Sequence, residues 1–447
     1  MLKGGSLVRF PGVCAIVLAW LVLDVGARAQ AGVLYTVDLG TKGLGQGGAF
    51  VAAPDDGSAA WYNPAALATQ TGLRLDLDVG LSDSRLSYQP AGVGGEVDTR
   101  TGLLPVGLIG GSYHLRDQGL TLGGFVYVPS SSSFIFDPKG EQRFQGIGGH
   151  YQLVFGHVAV AYRVTDTLAV GVTAGATYFH ATQYNDVSIA QPPNDPYDPF
   201  WAVEVTTDVQ SHAFFSANLG AQFAPTRRWT IGASFMPPFR ISANGTLKLS
   251  SPLVDAVGQV TGDRVAVQLD FPAVARAGIR YAVRSDVDLE LATVYEGWHR
   301  LSSIHIDPTI TVAAPTLGIA PTTIPPIDLA KSYRDVVSIR AGGEWRRNGY
   351  ALRAGSYVET PGSHPDKFDI TAPEATKIGF TIGATFSLRA GLDLDVALAH
   401  LFFRDVTVTQ TQLQILNVVD ATNTGPVGNG SYHTSMDFVQ LALRYTR

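Results

Sequence analysis

Four arginines are the residues best able to bind an anionic ligand. In segments where apolar and polar residues alternate, they fall on the face opposite the aliphatic residues: Arg276, Arg280, Arg340 and Arg353. A guanidinium group can hold a carboxylate through two parallel hydrogen bonds, so we predict Arg276, Arg340 and Arg353 as candidates for a ligand carboxylate. The alternative is that most of these arginines pair with acids of the same face, such as Glu344, Asp393 and Asp395.

Other combinations of residue types give little support for catalysis. The histidines are dispersed, without a pair at metal-ligand spacing, and no Gly-x-Ser-x-Gly nucleophile motif is present. The glycine-rich run 43–48 is not followed by a strand–helix–strand pattern, which a nucleotide-binding loop requires. We therefore predict neither an enzyme nor a bound cofactor or metal.

The composition is unusual for a soluble protein. Only 16% of the 447 residues are charged, whereas 45% are hydrophobic and 49 are glycine. Soluble domains carry about 25% charged residues, so a membrane protein is favoured. No run of about 20 apolar residues is available for a spanning helix. The net charge of −6 without a basic block gives no support for nucleic-acid binding.

The apolar residues recur at every second position, which indicates β-strands. Residues 73–81 and 392–399 alternate between apolar and small or acidic residues, and 265–271, 287–291 and 378–382 follow the same pattern. Period two places the apolar set on one face of a strand. Aromatic residues near predicted strand ends, such as Tyr162, Trp229 and Trp298, are expected to lie at the membrane interface.

The connections between these segments are alternately short and long. Short polar turns are predicted at 116–119, 165–166, 225–228, 284–286, 347–349 and 389–391. Long loops are predicted near 90–101, 130–148, 184–204, 250–262, 309–331, 361–374 and 410–431. This rhythm is typical of an outer-membrane barrel. We predict an all-β, antiparallel transmembrane barrel of about fourteen strands over residues 71–447; a soluble β-sandwich is the alternative.

The N-terminus has the features of a secretory signal peptide. Lys3 and Arg9 precede an apolar stretch at 13–23, and the sequence Ala27-Arg28-Ala29 fits a cleavage site. We predict that residues 1–29 are removed. The single cysteine, Cys14, lies in this segment, so disulfides and thiol chemistry are not expected in the mature chain.

Residues 30–70 do not alternate and are rich in small residues. Gly43 and Gly45 permit close backbone approach, and Asn63-Pro64 has the form of a helix start. The segment is too small for an independent domain. A barrel of this size leaves an open channel unless it is filled, so we predict that residues 30–70 form a small helical hatch in the lumen.

The stretch GLGQGGAFVAAPDDGSAAWYNPAALA (residues 43–68) resembles the N-terminal hatch of FadL/TodX-type outer-membrane transporters of long-chain fatty acids and hydrocarbons. The resemblance extends more weakly over the remaining mature chain. It implies a monomeric fourteen-stranded barrel in the bacterial outer membrane, in contact with lipid and lipopolysaccharide. Hydrophobic substrates would diffuse past a hatch in which Asn63, Pro64 and Ala65, with Gly43 and Gly45, take the gating positions. The alternative is that Asn63-Pro64 is only a helix-starting turn.

The resemblance also implies lateral release through the barrel wall. The third predicted strand, 120–128, ends at Pro129, and Ser130 and Ser131 follow. Proline cannot donate to a strand ladder, and the small residues tolerate a bend. We therefore predict a kink and a lateral opening here. The alternative is that Pro129 only ends the strand.

A second function class stays open at this point. A non-selective porin, or a structural barrel, would share the alternation and the signal peptide. A porin needs a hydrated, charged constriction. The low charge content and the segment rich in Gly and Ala argue instead for a closed lumen.

Overall fold

The structure is a computed structural model, and it describes residues 40–92, 95–99, 104–115 and 118–447. The predicted signal peptide 1–29, residues 30–39 of the predicted hatch and part of the predicted turn 116–119 lie outside these residues. Among the described residues, no helix has the length and apolar character needed to cross a membrane.

Antiparallel strands make up nearly all of the wall. Their bounds are β1 Leu73–Pro90, β2 Val97–Asp98, β3 Leu104–Leu115, β4 Leu120–Ile135, β5 Gly148–Arg163, β6 Leu168–Ser188, β7 Ala202–Ser211, β8 Phe214–Phe223, β9 Trp229–Met236, β10 Phe239–Ser250, β11 Gln259–Phe271, β12 Val274–Arg284, β13 Val287–Glu296, β14 Ser303–Ala314, β15 Ile319–Thr323, β16 Ile327–Ala330, β17 Val336–Arg347, β18 Tyr350–Glu359, β19 Lys377–Arg389, β20 Leu392–Phe403, β21 Val406–Val408 and β22 Gly430–Thr446.

Short helices occur in the hatch and the loops. The α-helices are α1 Thr41–Gly45, α2 Ala59–Tyr62 and α3 Pro252–Val257. The 3₁₀ helices are Pro64–Thr69, Glu141–Phe144, Pro199–Trp201, Trp298–Arg300, Pro315–Leu317 and Pro365–Lys367.

The sheet closes into a barrel of fourteen strands, as predicted. The first strand, β1, pairs with the last, β22, from Arg74↔Thr446 to Pro90↔Gly430. Several wall strands consist of two elements in line, for example β7 with β8 and β9 with β10. The closure pairs the first strand with the last, so the backbone groups of the paired residues find their partners within the sheet.

The two faces of the wall explain the hydrophobic composition. Lipid-facing positions carry exposed leucine, isoleucine, valine and aromatic side chains, including Phe215, Leu291 and Ile382. Tyr162 and Trp229 are also exposed, as expected for interfacial residues. The expectation for Trp298 is wrong: its side chain is 1% exposed, because it follows the end of β13 in a 3₁₀ turn and packs against Phe271 and Tyr333.

The third wall strand does not end at Pro129. β4 continues to Ile135, and the residues after Pro129 pair with β5 beginning at Ser130↔Leu153. The register between β4 and β5 shifts between Tyr127 and Ser130. A proline lacks the backbone N–H that a continuous ladder requires, so a bulge takes up the irregularity and the strand resumes beyond it.

Candidate functional site

The described part of the hatch, residues 40–70, lies inside the barrel. Its helices contact β5, β6, β8, β18, β19 and β20. Its residues are nearly all buried, including Trp61, Tyr62 and the alanines of the 3₁₀ helix. Trp61 packs edge-on or tilted against three wall aromatics, Phe125, Tyr127 and Phe155. Such contacts bury large aromatic surface, so the hatch is held by packing and blocks the lumen.

Wall glycines allow the hatch backbone to approach closely. A β-carbon on Gly355 would lie 2.2 Å from the backbone carbon of Gln46, and one on Gly220 would lie 2.3 Å from Oδ1 of Asn63. At both distances a side chain would force the hatch to shift. Glycines in the lumen face of the wall thus form the seat of the hatch.

The two predicted hatch glycines lie in α1, with both residues buried. A β-carbon at Gly43 would overlap the ring of Tyr62, and one at Gly45 would lie 3.1 Å from Cα of Gly383 on β19. Gly43 therefore permits packing within the hatch, whereas Gly45 permits packing between the hatch and the wall. The role of both residues in gating stays a prediction.

Asn63 is fully buried where the hatch meets the wall. Its side-chain nitrogen donates to the carbonyl oxygen of Val51 at 2.9 Å and to that of Ala221, on β8, at 3.0 Å. Its Oδ1 accepts a hydrogen bond from the backbone N–H of Ala65 at 3.2 Å, which caps the 3₁₀ helix that begins at Pro64. One side chain therefore joins two hatch segments to the barrel.

Further polar side chains of the wall bind the hatch backbone. Glu290 accepts hydrogen bonds from the N–H groups of Val51 and Ala52, at 2.6 and 2.8 Å. Further wall donors and acceptors to the hatch backbone include Asp78, Asn218, Gln222 and Ser234. These bonds satisfy hatch N–H and C=O groups that have no strand partner, which would otherwise be costly to bury.

The three predicted arginines are all buried, and the structure does not bring them together around one cavity. Arg353 lies between Glu344 and Asp395, at 2.6 and 3.4 Å. Arg340 binds Glu359 at 3.1 Å and donates to the carbonyl oxygen of Gly47 in the hatch at 3.4 Å. Arg276 lies 5.4 Å from the ring centre of Trp61.

These arginines therefore support the hatch region, through acids of the lumen face or an aromatic ring of the hatch. None of the three lines either of the two apolar cavities described next. Their predicted role as carboxylate ligands stays a prediction, and the structure adds no contact in its favour.

Two adjoining apolar cavities lie on the loop side of the hatch. The inner cavity, of about 130 Å³, is lined by Phe179, Val209, Leu269, Leu301 and Ile304 among others. The outer cavity, of about 300 Å³, is lined by residues of the long loops and strand ends, such as Leu247, Ile324, Leu416 and Val418. They share lining residues, including Ile306 and Leu329, so they are neighbours, and together they are called the apolar passage below.

One ion pair lies at the junction of these cavities. Lys331 lines both, and its ammonium group contacts the carboxylate of Asp369, which lines the outer cavity. Burial alone would lower the pKa of Lys331, but the Asp369 carboxylate raises it above its ordinary value. Burial would raise the pKa of Asp369, but Lys331 and hydrogen bonds from Thr371 lower it. Both groups are therefore charged at neutral pH.

Lys331 and Asp369 were missed by the sequence reasoning. They lie in long loops where no alternation assigns a side chain to the lumen. The one available signal was an isolated lysine after the apolar stretch 310–327, within a loop otherwise poor in charge.

The predicted lateral opening coincides with an irregular part of the wall. The ladder between β3 and β4 runs from Leu115↔Leu120 to Gly107↔Val128, whereas β4 continues past Pro129. Ser130 and Ser131 pair with Leu153 and Gln152 on β5. Within the described residues, the β3 side of β4 has no ladder pair beyond Val128.

Comparisons with known proteins agree with this architecture. The sequence matches the family described as "Outer membrane protein transport protein (OMPP1/FadL/TodX)" over residues 22–442. No curated protein matches the chain. Among solved structures, a FadL homologue from Pseudomonas aeruginosa has 17% identity and a TM-score of 0.75, covering 94% of this chain and 100% of that one.

Two structures of hydrocarbon transporters are also similar. The Pseudomonas putida toluene transporter TodX has 14% identity and a TM-score of 0.67, covering 93% of this chain and 99% of its own. The Ralstonia pickettii toluene transporter TbuX has 14% identity and a TM-score of 0.65, covering 93% and 100%. At these identities the likeness concerns the fold.

Proposed function

Because this chain belongs to the outer-membrane transport protein family OMPP1/FadL/TodX, we propose that it takes up long-chain fatty acids or related hydrophobic compounds by passive diffusion. The family is one of transport channels, so the chain is an outer-membrane β-barrel transporter and not an enzyme.

The observation that carries the proposal is the apolar passage above a closed hatch. A hydrophobic molecule that leaves water for this passage gains about 0.8 kcal/mol for each buried CH₂ group. A cavity of about 150 Å³ lined by aliphatic and aromatic residues is large enough for benzene. The inner cavity is near that size and the outer one is larger, so a single ring or part of an alkyl chain fits.

The ion pair of Lys331 and Asp369 supports fatty acids within this substrate class. Lys331 is the one cation among the described residues that line the two cavities. A fatty-acid carboxylate arriving from the outer cavity would compete with Asp369 for the ammonium group, while its alkyl chain occupies the inner cavity. Toluene, which the names of two similar structures specify, would use the apolar walls alone.

Passage beyond the inner cavity requires movement of the hatch. Asn63, Pro64 and Ala65 are at the contact between the hatch and β6 and β8. We assign the gating role to this corner, because a loss of the Asn63 hydrogen bonds frees two hatch segments at once. The substrate would then leave laterally at Pro129, where the ladder on the β3 side of β4 stops.

Uptake by cells is the direct test. A strain without its own transporter of this family, expressing this chain, is expected to accumulate radiolabelled oleate or toluene faster than cells with an empty vector. Oleate alone would indicate a fatty-acid transporter, and toluene alone a monoaromatic one. Equal accumulation of both substrates with and without the protein would contradict the proposal.

A porin remains the second candidate because of one polar cavity. This cavity, of about 240 Å³, lies between the hatch and β13 and β17, and charged residues line much of it: Asp55, Arg280, Asp288, Glu290, Glu344 and Arg346. Water and ions would occupy such a space. Large, steady single-channel currents in planar bilayers would favour the porin, whereas a closed baseline would favour the transporter.

A further inference from the structure

The barrel wall has another interruption, three strands away from β4, between β7–β8 on one side and β9–β10 on the other. On the side of the short turn between them, β8 and β9 pair from Phe223↔Ile231 to Leu219↔Phe235. On the side of the long loops, β7 and β10 pair from Ser211↔Ala243 to Glu204↔Ser250. Within the described residues, no ladder pair joins 212–218 to 236–242. The register is the same on both sides, so the two strands separate and then meet again without a slip.

The sequence explains why the strands separate here. Pro237 and Pro238 occupy the middle of the interruption, and Pro272 lies opposite Pro238 on the next strand, between Phe239↔Phe271 and Met236↔Val274. Prolines have no N–H to donate, so they are excluded from the middle of a regular ladder. At about 3.3 Å per residue, the interruption extends on the order of 20 Å along the strands.

Strand β8 is held by its other neighbours over this length. Phe214 to Ala217 pair with β6. The hydroxyl of Ser216 hydrogen-bonds with Thr177 at 2.6 Å and His157 at 2.8 Å. Asn218 donates to the carbonyl oxygen of Trp61 in the hatch at 2.7 Å. The strand can therefore keep its position without pairing to β9 or β10.

Aromatic side chains occupy the interruption. The rings of Phe214 and Phe239, one from each side, are 5.2 Å apart. Beside them, Phe215 is 71% exposed, at the outer face of the wall where lipid would contact it. The closure between lipid and lumen at this position is thus made by side chains, which change rotamer far more easily than a strand ladder opens.

A row of aromatic rings connects this position with the inner cavity. Phe239 stacks on Phe271 at 4.6 Å, Phe271 contacts Trp298 at 5.6 Å, and Trp298 contacts Tyr333 at 6.2 Å. Tyr333 lines the inner apolar cavity, as does Val209, two residues before the end of β7. A continuous series of aromatic contacts therefore links the interruption to the lining of the cavity.

We propose that the interruption between β8 and β9–β10 is a second lateral portal, closed by Phe214 and Phe239, through which uncharged apolar molecules pass between the lipid and the inner cavity. Such molecules dissolve in the bilayer, and a portal in the wall lets them reach the cavity without crossing the polar loops. A fatty-acid carboxylate gains nothing from this route, because it would have to leave the interface and lose hydration. The proposal rests on the transport function proposed above.

Paired variants with opposite expected effects test the portal. Phe214→Ala with Phe239→Ala removes the aromatic closure and is expected to raise the uptake of radiolabelled hexadecane several-fold. Pro237→Val with Pro238→Val supplies two N–H groups, one directed at β8 and the other at the strand formed by β11 and β12. The ladder with β8 is then expected to close and hexadecane uptake to fall several-fold. Oleate uptake is expected to change little in both. Phe386→Ala, at a lipid-facing position of β19, and Pro225→Val, in an exposed turn, are the matched controls.

Folding of each variant is checked by the mobility shift of unboiled barrels on denaturing gels. Equal hexadecane uptake by both folded double variants and the unmodified protein would overturn the portal while leaving the transport function intact. Failure of the unmodified protein to take up hexadecane or oleate would contradict the transport function instead. In that case, crystals soaked in 1-bromohexadecane decide the portal: bromine between Phe214 and Phe239 supports it, and bromine confined to the loop-side cavities overturns it.

Discussion

The side-chain nitrogen of Asn63 in the hatch lies 3.0 Å from the carbonyl oxygen of Ala221 in the wall. The same nitrogen bonds the carbonyl oxygen of Val51, so the contact fixes both the hatch and its place in the barrel. We expect Asn63→Ala to lower stability by about 1–3 kcal/mol, since it leaves buried backbone groups without partners. It should also produce transient ion currents in planar bilayers.

Asn348→Ala, in the exposed turn between β17 and β18, is the control for this variant. It should preserve both the thermal midpoint and the closed baseline. If Asn63→Ala has the midpoint and conductance of the unmodified protein, Asn63 does not hold the hatch.

A methyl group on Gly355 should displace the hatch. Its β-carbon would lie 2.2 Å from the backbone carbon of Gln46, and overpacking of this kind costs typically about 1–3 kcal/mol. We expect Gly355→Ala to make the hatch sensitive to limited proteolysis. Gly156→Ala is the control, because its β-carbon would meet only the carbonyl oxygen of Ala176 at an ordinary 3.8 Å. Equal protease resistance of both variants would argue against a tight seat.

Pro129→Val should slow transport if the irregularity in β4 is a release site. Valine supplies the missing N–H donor and favours a regular strand, so the bulge between Tyr127 and Ser130 should shrink. We expect several-fold slower oleate uptake with normal barrel assembly. Pro225→Val serves as control, and unchanged uptake by Pro129→Val would remove the proposed opening.

Lys331 should distinguish charged from uncharged substrates. Lys331→Met alone would leave Asp369 buried without its cation, which typically costs about 3–5 kcal/mol. The informative variant is therefore Lys331→Met with Asp369→Leu, which removes both charges. We expect it to lose most oleate uptake and to retain toluene uptake. Parallel losses of both substrates, in a correctly folded barrel, would mean that the pair is only structural.

The same ion pair predicts a broad pH plateau of stability. The pKa of Asp369 is lowered by folding, so its contribution is present above the unfolded value of about 3.9 and is lost as the pH falls through the folded value. The pKa of Lys331 is raised, so its contribution is present below about 10.4 and is lost as the pH rises through the folded value.

The pair should therefore stabilise the protein evenly from about pH 5 to 9. Thermal midpoints of the unmodified protein and of the variant lacking both charges measure this contribution by difference. A difference that changes steeply between those pH values would contradict the assignment.

Alternation was sufficient to predict the wall, because every second residue faces lipid and the turns separate the strands. It predicted the closed barrel of fourteen strands but not the breaks within strands, such as the one at Pro237 and Pro238. The continuation of β4 past Pro129 was missed for a related reason. A proline excludes one hydrogen bond, and only the neighbouring strand decides whether pairing resumes.

The site was less predictable than the wall. The motif Asn63-Pro64-Ala65 could be recognised as part of the hatch, because its residues are adjacent in sequence. The cavity residues, in contrast, come from β5, β6, β7, β11, β14, β16 and loops. No local pattern brings Phe179, Leu269 and Lys331 together. The arginines satisfied the alternation rule and yet bind acids, the hatch backbone or Trp61, because inward position does not specify a partner.

The seat of the hatch has a consequence for the order of assembly. Gln46, near the start of the chain, packs against Gly342 and Gly355, and its neighbour Gly45 packs against Gly383. These partners belong to β17, β18 and β19, which are synthesised about 300 residues later. Contacts of such sequence separation form late because the intervening chain must first be ordered. Residues 45 and 46 are therefore synthesised before these partners, and they can dock only after the partner strands are in place.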